Sequence, residues 1–340
     1  MYARKRIKTY LGYTSALRYW RAVGAGWLPE PVANESRAPE SCARGIQEVL
    51  ASRYLDWDIA EEPLHILVAS AKDANRTARL VAHICAGEYP PGSFYDVGRE
   101  LALPSLPLLL SQLAQTEDAI TLAELAMEFC GYYSICESSP EGMEYHMPFT
   151  CKDKLARGLR ELKGRHGASK ALAALAYVCD GAASPREAES CLALVAPARM
   201  GGAGLPLPHC NHKVEVPDGD ARGPRVFYGD LVWPELKLIV EYNGRKYHAD
   251  AELDQHRRDL LEHAGWKVRV ISKRHTASDE AFAGTLAQIA RAAGRRFRAQ
   301  PAATSLLRRR LFLETGQLRA QPLAPDAAAD EHAPYPDSWD

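Results

Sequence analysis

The segment from Arg225 to Ser272 constrains the fold of this 340-residue chain more than any other part of the sequence. Two apolar stretches, RVFYGDLVWP and LKLIVEYNG, are joined by Pro234 and Glu235, and both are typical of β-strands. An amphipathic helix, AELDQHRRDLLEHAG, and a further strand, WKVRVIS, follow them. Because strands and helices in this order bury their apolar faces best as layers, we expect an α/β unit here.

The neighbouring segments extend this unit on both sides. SPREAESCLALV is predicted to be a helix, since Ser184 suits the N-cap position and Pro185 the first helical position. HKVEV predicts one more strand, and SDEAFAGTLAQIARAAG predicts a closing helix. We therefore assign residues 181–298 to one domain with a mixed sheet flanked by helices.

The remaining sequence is less regular. We assign residues 1–180 to a mixed, mostly helical N-terminal domain, residues 299–320 to a basic helical segment, and residues 321–340 to a disordered tail rich in Ala, Pro and Asp. LHILVAS (64–70) is typical of a strand, and 75–85 has helical spacing of Leu, Val and Ile. The other N-terminal predictions are helices in LALPSLPLLLSQLA and TLAELAMEFCGYY, a loop over 136–151, and a helix pair over 152–178.

Composition excludes several classes of protein. The formal net charge is −1, which argues against a wholly basic nucleic-acid-binding protein but allows a local basic face such as Arg308, Arg309 and Arg310. No run of eighteen apolar residues and no secretory signal pattern occurs, so we expect a cytoplasmic protein without a membrane partner.

The eight cysteines are scattered without a CxxC pair, and we interpret them as reduced thiols. A zinc site at His209–Cys210–Asn211–His212 is disfavoured, because no second ligand pair occurs at a recognised spacing.

Three carboxylates are spaced as a metal site would require. Asp230 lies late in one predicted strand and Glu241 ends the next, so a hairpin can place them side by side. Glu187, in the first turn of the preceding helix, can reach the same place. Carboxylate oxygens are the ligands that Mg²⁺ or Mn²⁺ prefers, and one or two of them with water suffice. Other interpretations remain: Asp230 as a turn residue, Glu241 as an ion-pair partner of Arg245 or Lys246, and Glu187 as an acid favoured by the helix dipole.

Two further side chains are candidates for the chemistry. His248 follows Glu241 in a polar loop, where it can serve as a base, a proton donor or a phosphate contact, although a solvated loop histidine is the more common case. Arg257 lies on the following helix and can bind phosphate.

The string DLVWPELKLIVEYNGRKYH, followed by D-x-x-R from Asp254 to Arg257, L-x-x-x-GW from Leu261 to Trp266, and VRVI, closely resembles one family. It is similar to bacterial proteins related to the very-short-patch mismatch-repair endonuclease, in the PD-(D/E)XK nuclease superfamily. The resemblance covers roughly residues 184–275. It implies a restriction-endonuclease-like fold, a Mg²⁺ or Mn²⁺ cofactor, DNA as the partner, and hydrolysis of DNA phosphodiesters in repair or phage defence.

Residue by residue, the resemblance matches Asp230 and Glu241 to the two metal-binding acids. It matches Glu187 to the acid of the N-terminal helix, with Glu189 leaving the register open, and it implies catalytic roles for His248 and Arg257. This chain departs from the family at Asn243, where the superfamily has Lys and this family often has Asp. An amide can ligate a metal but cannot act as a base, which leaves open a protein that binds DNA without cleaving it.

The N-terminal part more weakly resembles the antitoxins of abortive-infection (AbiE-type) toxin–antitoxin systems. That likeness rests on the basic start of the chain, on LHILVAS, and on LPSLPLLLSQLA with LAELAMEFCG. Three hypotheses follow: a Mg²⁺-dependent DNA endonuclease, a catalytically inactive nuclease-fold protein serving as a DNA-binding regulator or antitoxin-like module, and a structural α/β protein without a nucleic-acid role. The basic segment over 295–310 makes us place the third hypothesis last.

Overall fold

The structure, a computed structural model, describes residues 8–26, 32–33, 39, 63–74, 78–98, 101–217, 223–243 and 251–313. Helices and strands follow one another in short runs along these ranges. The helices are α1 (Tyr13–Gly24), α2 (Leu106–Leu113), α3 (Ala119–Phe129), α4 (Lys152–Glu161), α5 (Ala168–Ala174), α6 (Pro185–Val195), α7 (Ala251–His263), α8 (Asp279–Ala292) and α9 (Pro301–Phe312). The strands are β1 (Thr9–Leu11), β2 (Val32–Ala33), β3 (Leu64–Val68), β4 (Leu80–Ile84), β5 (Phe94–Asp96), β6 (Leu101–Pro104), β7 (Tyr133–Ile135), β8 (Met143–Tyr145), β9 (His209–Val216), β10 (Arg225–Trp233), β11 (Leu238–Asn243) and β12 (Lys267–Ser272). The predicted α/β class is confirmed.

A six-stranded mixed sheet organises the N-terminal part, in the order β2-β5-β6-β1-β3-β4. The predicted strand LHILVAS is confirmed as β3. The helix predicted over 75–85 is wrong for its described residues, because Leu80–Ile84 form strand β4 and pair parallel with β3. Its buried residues, Leu80 and Ala82, alternate along the chain with more exposed ones and pack in the core as a strand face does. Pairing with β3 therefore decides the conformation of a stretch whose apolar spacing is ambiguous.

The other N-terminal predictions are mostly confirmed. Helices α2 and α3 occur where they are predicted, although LALP forms strand β6 before α2 begins. The predicted helix pair is α4 and α5, separated at Gly164–Gly167. The loop prediction for 136–151 is wrong at Met143–Tyr145, which pair antiparallel with Tyr133–Ile135.

The C-terminal sheet has the order β12-β11-β10-β9. β9, β10 and β11 pair antiparallel, whereas β11 and β12 pair parallel, with α7 as the crossover between them. One face of the sheet packs against α7 through Val232, Ile239 and Leu261. The opposite face, with Leu231 and Val240, belongs to the large core that also contains α6. The predicted order of helix, three strands, helix, strand and helix is confirmed.

Helix α9 is part of the folded body. Arg308, predicted to lie on a basic face, is 8% exposed, and its Nε donates to Asp279 Oδ1 at 2.5 Å. Arg310 forms an ion pair with Asp118 at the start of α3. Two of the three arginines of this segment therefore form ion pairs with acids of the same chain, and only Arg309 of the three is exposed. The reason for placing the structural hypothesis last is correspondingly weaker.

The predicted disordered tail lies outside the described residues. Among the helices that the structure describes, none is long and apolar enough to cross a membrane.

Candidate active site

Asp230 lies at a break in the sheet rather than in a turn. The regular β9–β10 register pairs Gly229 with His212 and Leu231 with Cys210, which places Asp230 opposite Asn211. Asn211 has a φ of 46°, in the left-handed region that interrupts a strand. The ladder therefore opens at Asp230, and a local opening of this kind redirects side chains next to functional sites.

The ladder also changes on the other side of Asp230. β10 and β11 pair from Trp233 with Leu238 up to Leu231 with Val240. One further step would set Asp230 opposite Glu241, as the sequence predicts. At this point the backbone N–H of Tyr242 donates to Asp230 Oδ2 at 2.8 Å. The carboxylate thus takes the role of a backbone acceptor, which fixes its position at the edge of the ladder.

Glu241 is held by Arg257 from helix α7. The Arg257 guanidinium donates to Glu241 Oε1 at 2.7 Å and to the carbonyl oxygen of Tyr228 at 2.6 Å. Its Nε is buried and has no hydrogen-bond partner among the described residues, so the guanidinium keeps an unused donor beside the carboxylates. The ion pair suggested with Arg245 or Lys246 falls on residues outside the described ranges; the observed partner is Arg257.

Glu187 is buried at the start of α6, where Ser184 caps the helix as predicted. Its Oε2 accepts from the N–H of Ala183 and from Asn211 Nδ2, each at 2.8 Å, and its Oε1 accepts from Ser184 Oγ at 3.0 Å. Burial raises the pKa of Glu187, and these three donors oppose the rise. The interaction with Asn211 ties this helical acid to the strand residue opposite Asp230.

Glu187 and Glu189, the two candidate acids of α6, have different partners. Glu189 Oε2 accepts from Arg186 at 2.6 Å. Glu187 lies close enough to Asp230 to influence its ionisation. Asn211 links Glu187 to the strand position opposite Asp230, and the assignment of Glu187 to the site stays a prediction.

The pKa of Asp230 depends on its burial and on the charged groups around it. Burial and the nearby Glu187 raise the pKa of Asp230 to about 7, Glu241 adds to the rise, and the Tyr242 hydrogen bond and Arg257 oppose it. The pKa rises because burial and the neighbouring negative charges both disfavour the ionised form of the Asp230 carboxyl group. A bound cation would remove that cost.

Only some of the predicted residues are brought together. Asn211, opposite Asp230, binds Glu187, and Arg257 binds Glu241, whereas His248 lies outside the described residues. Asn243 pairs with Ser272 in the parallel β11–β12 ladder. Sequence reasoning missed Asn211 as a site residue, since neither its left-handed backbone nor its contact with Glu187 is visible in a polar strand segment.

The acids suit a hard divalent ion in part. Asp230 and Glu241 would hold it, because two carboxylates completed by water meet the needs of Mg²⁺. Glu187 is less free, since its oxygens already accept from three donors. Among the residues that the structure describes, only three cysteine thiols place three potential ligand atoms within 4.8 Å of one another.

Those thiols overturn part of the interpretation of the cysteines. Cys179 and Cys210, 31 residues apart, are joined as a disulfide, and Cys191 lies beside them. The prediction of reduced thiols is wrong for this pair, because folding brings α6, β9 and the segment before α6 together. The cluster includes Cys210 but neither His209 nor His212.

Comparison with known proteins adds little to this geometry. No family model matches the chain, and no solved structure matches it. Two proteins of Mycobacterium tuberculosis, "Uncharacterized protein MT2308" of strain CDC 1551 / Oshkosh and "Uncharacterized protein Rv2248" of strain H37Rv, are each 27% identical to it over 120 residues. The match covers 34% of this chain and 40% of either relative, so the chain spans less than half the length of these relatives.

Proposed function

We propose that the chain is a Mg²⁺- or Mn²⁺-dependent endonuclease that hydrolyses DNA phosphodiesters, with repair or phage defence as its setting. One observation carries the proposal: Asp230 lies one step beyond the end of the β10–β11 ladder, Asn211 opposite it donates to Glu187, and Arg257 donates to Glu241 on the neighbouring strand. The resemblance of residues 184–275 to nucleases of the very-short-patch-repair type supports the same assignment for Glu187, Asp230, Glu241 and Arg257.

The residues would divide the work between them. Asp230 and Glu241 hold the divalent ion, and Arg257 positions Glu241 and offers its remaining donors to a phosphate oxygen. Glu187 and Asn211 position the edge of β9 next to Asp230. When bound, the ion supplies an activated water and neutralises charge that develops on the scissile phosphate. DNA is the proposed partner, and His248 remains a candidate for proton transfer.

Cleavage of supercoiled and linear DNA with Mg²⁺ or Mn²⁺ tests this proposal. We expect the wild-type chain to nick or cut, and Asp230→Asn and Glu241→Gln to lose at least about 100-fold in rate. Glu215→Gln is the matched control, because Glu215 is an exposed acid on β9 of the same sheet. Cleavage that survives in both site variants would overturn the assignment.

A second function has its own observation. Asn243 stands where the superfamily has a basic residue, and Glu241 is already neutralised by Arg257 at 2.7 Å. A nuclease fold with these features suits a DNA-binding regulator without turnover. Salt-dependent gel shifts without cleavage under any metal condition would favour this alternative over the enzyme.

A further inference from the structure

Three cysteines from separate segments of the chain meet where β9 begins. Cys179 precedes α6, Cys191 lies within α6, and Cys210 lies on β9. Their sulfur atoms all lie within 4.8 Å of one another, and the Sγ atoms of Cys179 and Cys191 are 3.5 Å apart. Cys179 and Cys210 form a disulfide in this structure, while Cys191 is a buried free thiol.

Hydrogen bonds from three other parts of the chain fix the segment that carries Cys179. The N–H of Lys152 donates to Asp180 Oδ1 at 2.7 Å, and the N–H of Gly181 donates to the carbonyl oxygen of Cys130 at 2.9 Å. The side chain of Asn211 donates to the carbonyl oxygen of Gly181 at 2.8 Å. The position of Cys179 is therefore set independently of the disulfide.

The other two cysteines lie on regular elements. Cys191 is one turn beyond Glu187 in α6, and Cys210 pairs with Leu231 in the β9–β10 ladder. Because all three backbones are held by their own hydrogen bonds, reduction of the disulfide leaves three thiols facing one another. A preformed group of ligands avoids most of the ordering cost of binding.

The spacing suits a thiophilic ion. Zn²⁺ binds thiolate sulfur at about 2.3 Å in tetrahedral geometry, which places sulfur atoms roughly 3.8 Å apart. Three protein ligands leave a fourth position for water or another donor. Lys152 Nζ donates to the carbonyl oxygen of Val178 at 2.9 Å and so brings a positive charge next to Cys179. That charge offsets the net anion formed by one divalent ion and three thiolates.

We propose that the reduced chain binds one Zn²⁺ through Cys179, Cys191 and Cys210. Three S–H bonds are lost, three Zn–S bonds form, and three protons are released to the buffer. The zinc site would be separate from the carboxylate site. The bound ion would join α6 to β9, because Cys191 lies on the same helix as Glu187 and Cys210 directly precedes Asn211. It does not depend on nuclease activity.

The test uses the full chain. A phosphine first reduces the disulfide to two thiols and is itself oxidised to the phosphine oxide, and a chelator then removes any bound metal. Zinc is titrated against a chromophoric chelator, and Cd²⁺ is added separately to read thiolate coordination from its ultraviolet charge-transfer absorption. We expect one ion per chain and a cadmium–thiolate band. Each of Cys179→Ser, Cys191→Ser and Cys210→Ser should weaken zinc binding at least about tenfold.

Cys136→Ser is the matched control, because Cys136 is a buried free thiol outside the cluster. It should bind zinc as the wild type does. The cadmium band is measured on the wild-type chain and so does not depend on how well the variants fold. A reduced wild-type chain without that band, a disulfide that resists the phosphine, or zinc binding unchanged in all three variants would overturn the proposal.

Discussion

Oδ2 of Asp230 accepts a hydrogen bond of 2.8 Å from the backbone N–H of Tyr242, at the point where the β10–β11 ladder stops. A side-chain carboxylate thereby replaces a backbone acceptor and is held in one position. The same carboxylate is partly buried, and Glu187 and Glu241 both raise its pKa, so its charge is costly unless a cation is present. The Asp230 carboxylate therefore accepts the hydrogen bond of Tyr242 at a position where a negative charge is disfavoured.

The first prediction concerns stability without metal. The pKa of Asp230 is raised from 3.8 to about 7 in the folded chain, so the folded state binds a proton that the unfolded state has lost between these values. The free energy of unfolding should fall as pH rises from about 4 to about 7. Asp230→Asn should remove part of that fall, on the order of 1–4 kcal/mol, and should be more stable than the wild type at pH 8. Urea denaturation in a chelator measures both chains; parallel pH curves for the two would contradict the prediction.

The second prediction concerns metal and pH together, and it rests on the proposed nuclease function. Because Mg²⁺ binds the ionised form of Asp230, the ion competes with a proton. The pH midpoint of DNA cleavage should lie near 7 when Mg²⁺ is limiting and should move to lower pH as Mg²⁺ approaches saturation. Rates measured across pH at two Mg²⁺ concentrations test this. A midpoint that stays constant would assign the titration to another group.

The third prediction concerns the ion pair between Arg257 and Glu241. Their side chains are 33% and 20% exposed, and the guanidinium also binds the carbonyl oxygen of Tyr228. A double-mutant cycle with Arg257→Ala and Glu241→Gln should give a coupling free energy of about 1 kcal/mol. The pair Lys213–Glu215, about half exposed on both sides, is the control and should couple more weakly. Equal coupling in the two pairs would show that the site pair is screened by solvent.

The fourth prediction concerns Asn211. Its amide donates to Glu187 and to the carbonyl oxygen of Gly181, and its backbone has a φ of 46°. Asn211→Ala should cost on the order of 1–3 kcal/mol, because two acceptors lose a donor and Ala resists the left-handed conformation. Asn211→Gly loses the same hydrogen bonds, but glycine adopts the left-handed conformation without strain. Its free energy of unfolding should therefore fall less than that of Asn211→Ala. Chemical denaturation of both variants tests this, and an equal loss would indicate that the backbone relaxes.

The C-terminal elements were predictable because their signals are local. Ser184 followed by Pro185 begins α6, the short turn at Pro234 joins β10 to β11, and Gly265 follows α7 in a left-handed conformation. The hairpin also predicts that Asp230 lies opposite Glu241, and the β10–β11 ladder ends one pair before that position, at Leu231 and Val240. The amino-acid sequence by itself was therefore enough to predict the strands and helices of this sheet and the strands on which Asp230 and Glu241 lie.

The remaining features required contacts between distant residues. β4 is a strand because β3 pairs with it, although its apolar spacing suits a helix equally well. Arg308 is buried where it meets Asp279 and the carbonyl oxygens of Thr276 and Ala277, which lie about 30 residues away in the sequence. Cys179 and Cys210 meet because the segment before α6 lies against β9, where Asn211 donates to Gly181, and Asn211 contacts Glu187 where the β9–β10 ladder opens. The local spacing of apolar residues indicates which face of an element is buried. Strand partners, ion pairs and contacts between thiols depend on how the elements pack, and only the tertiary structure decides that.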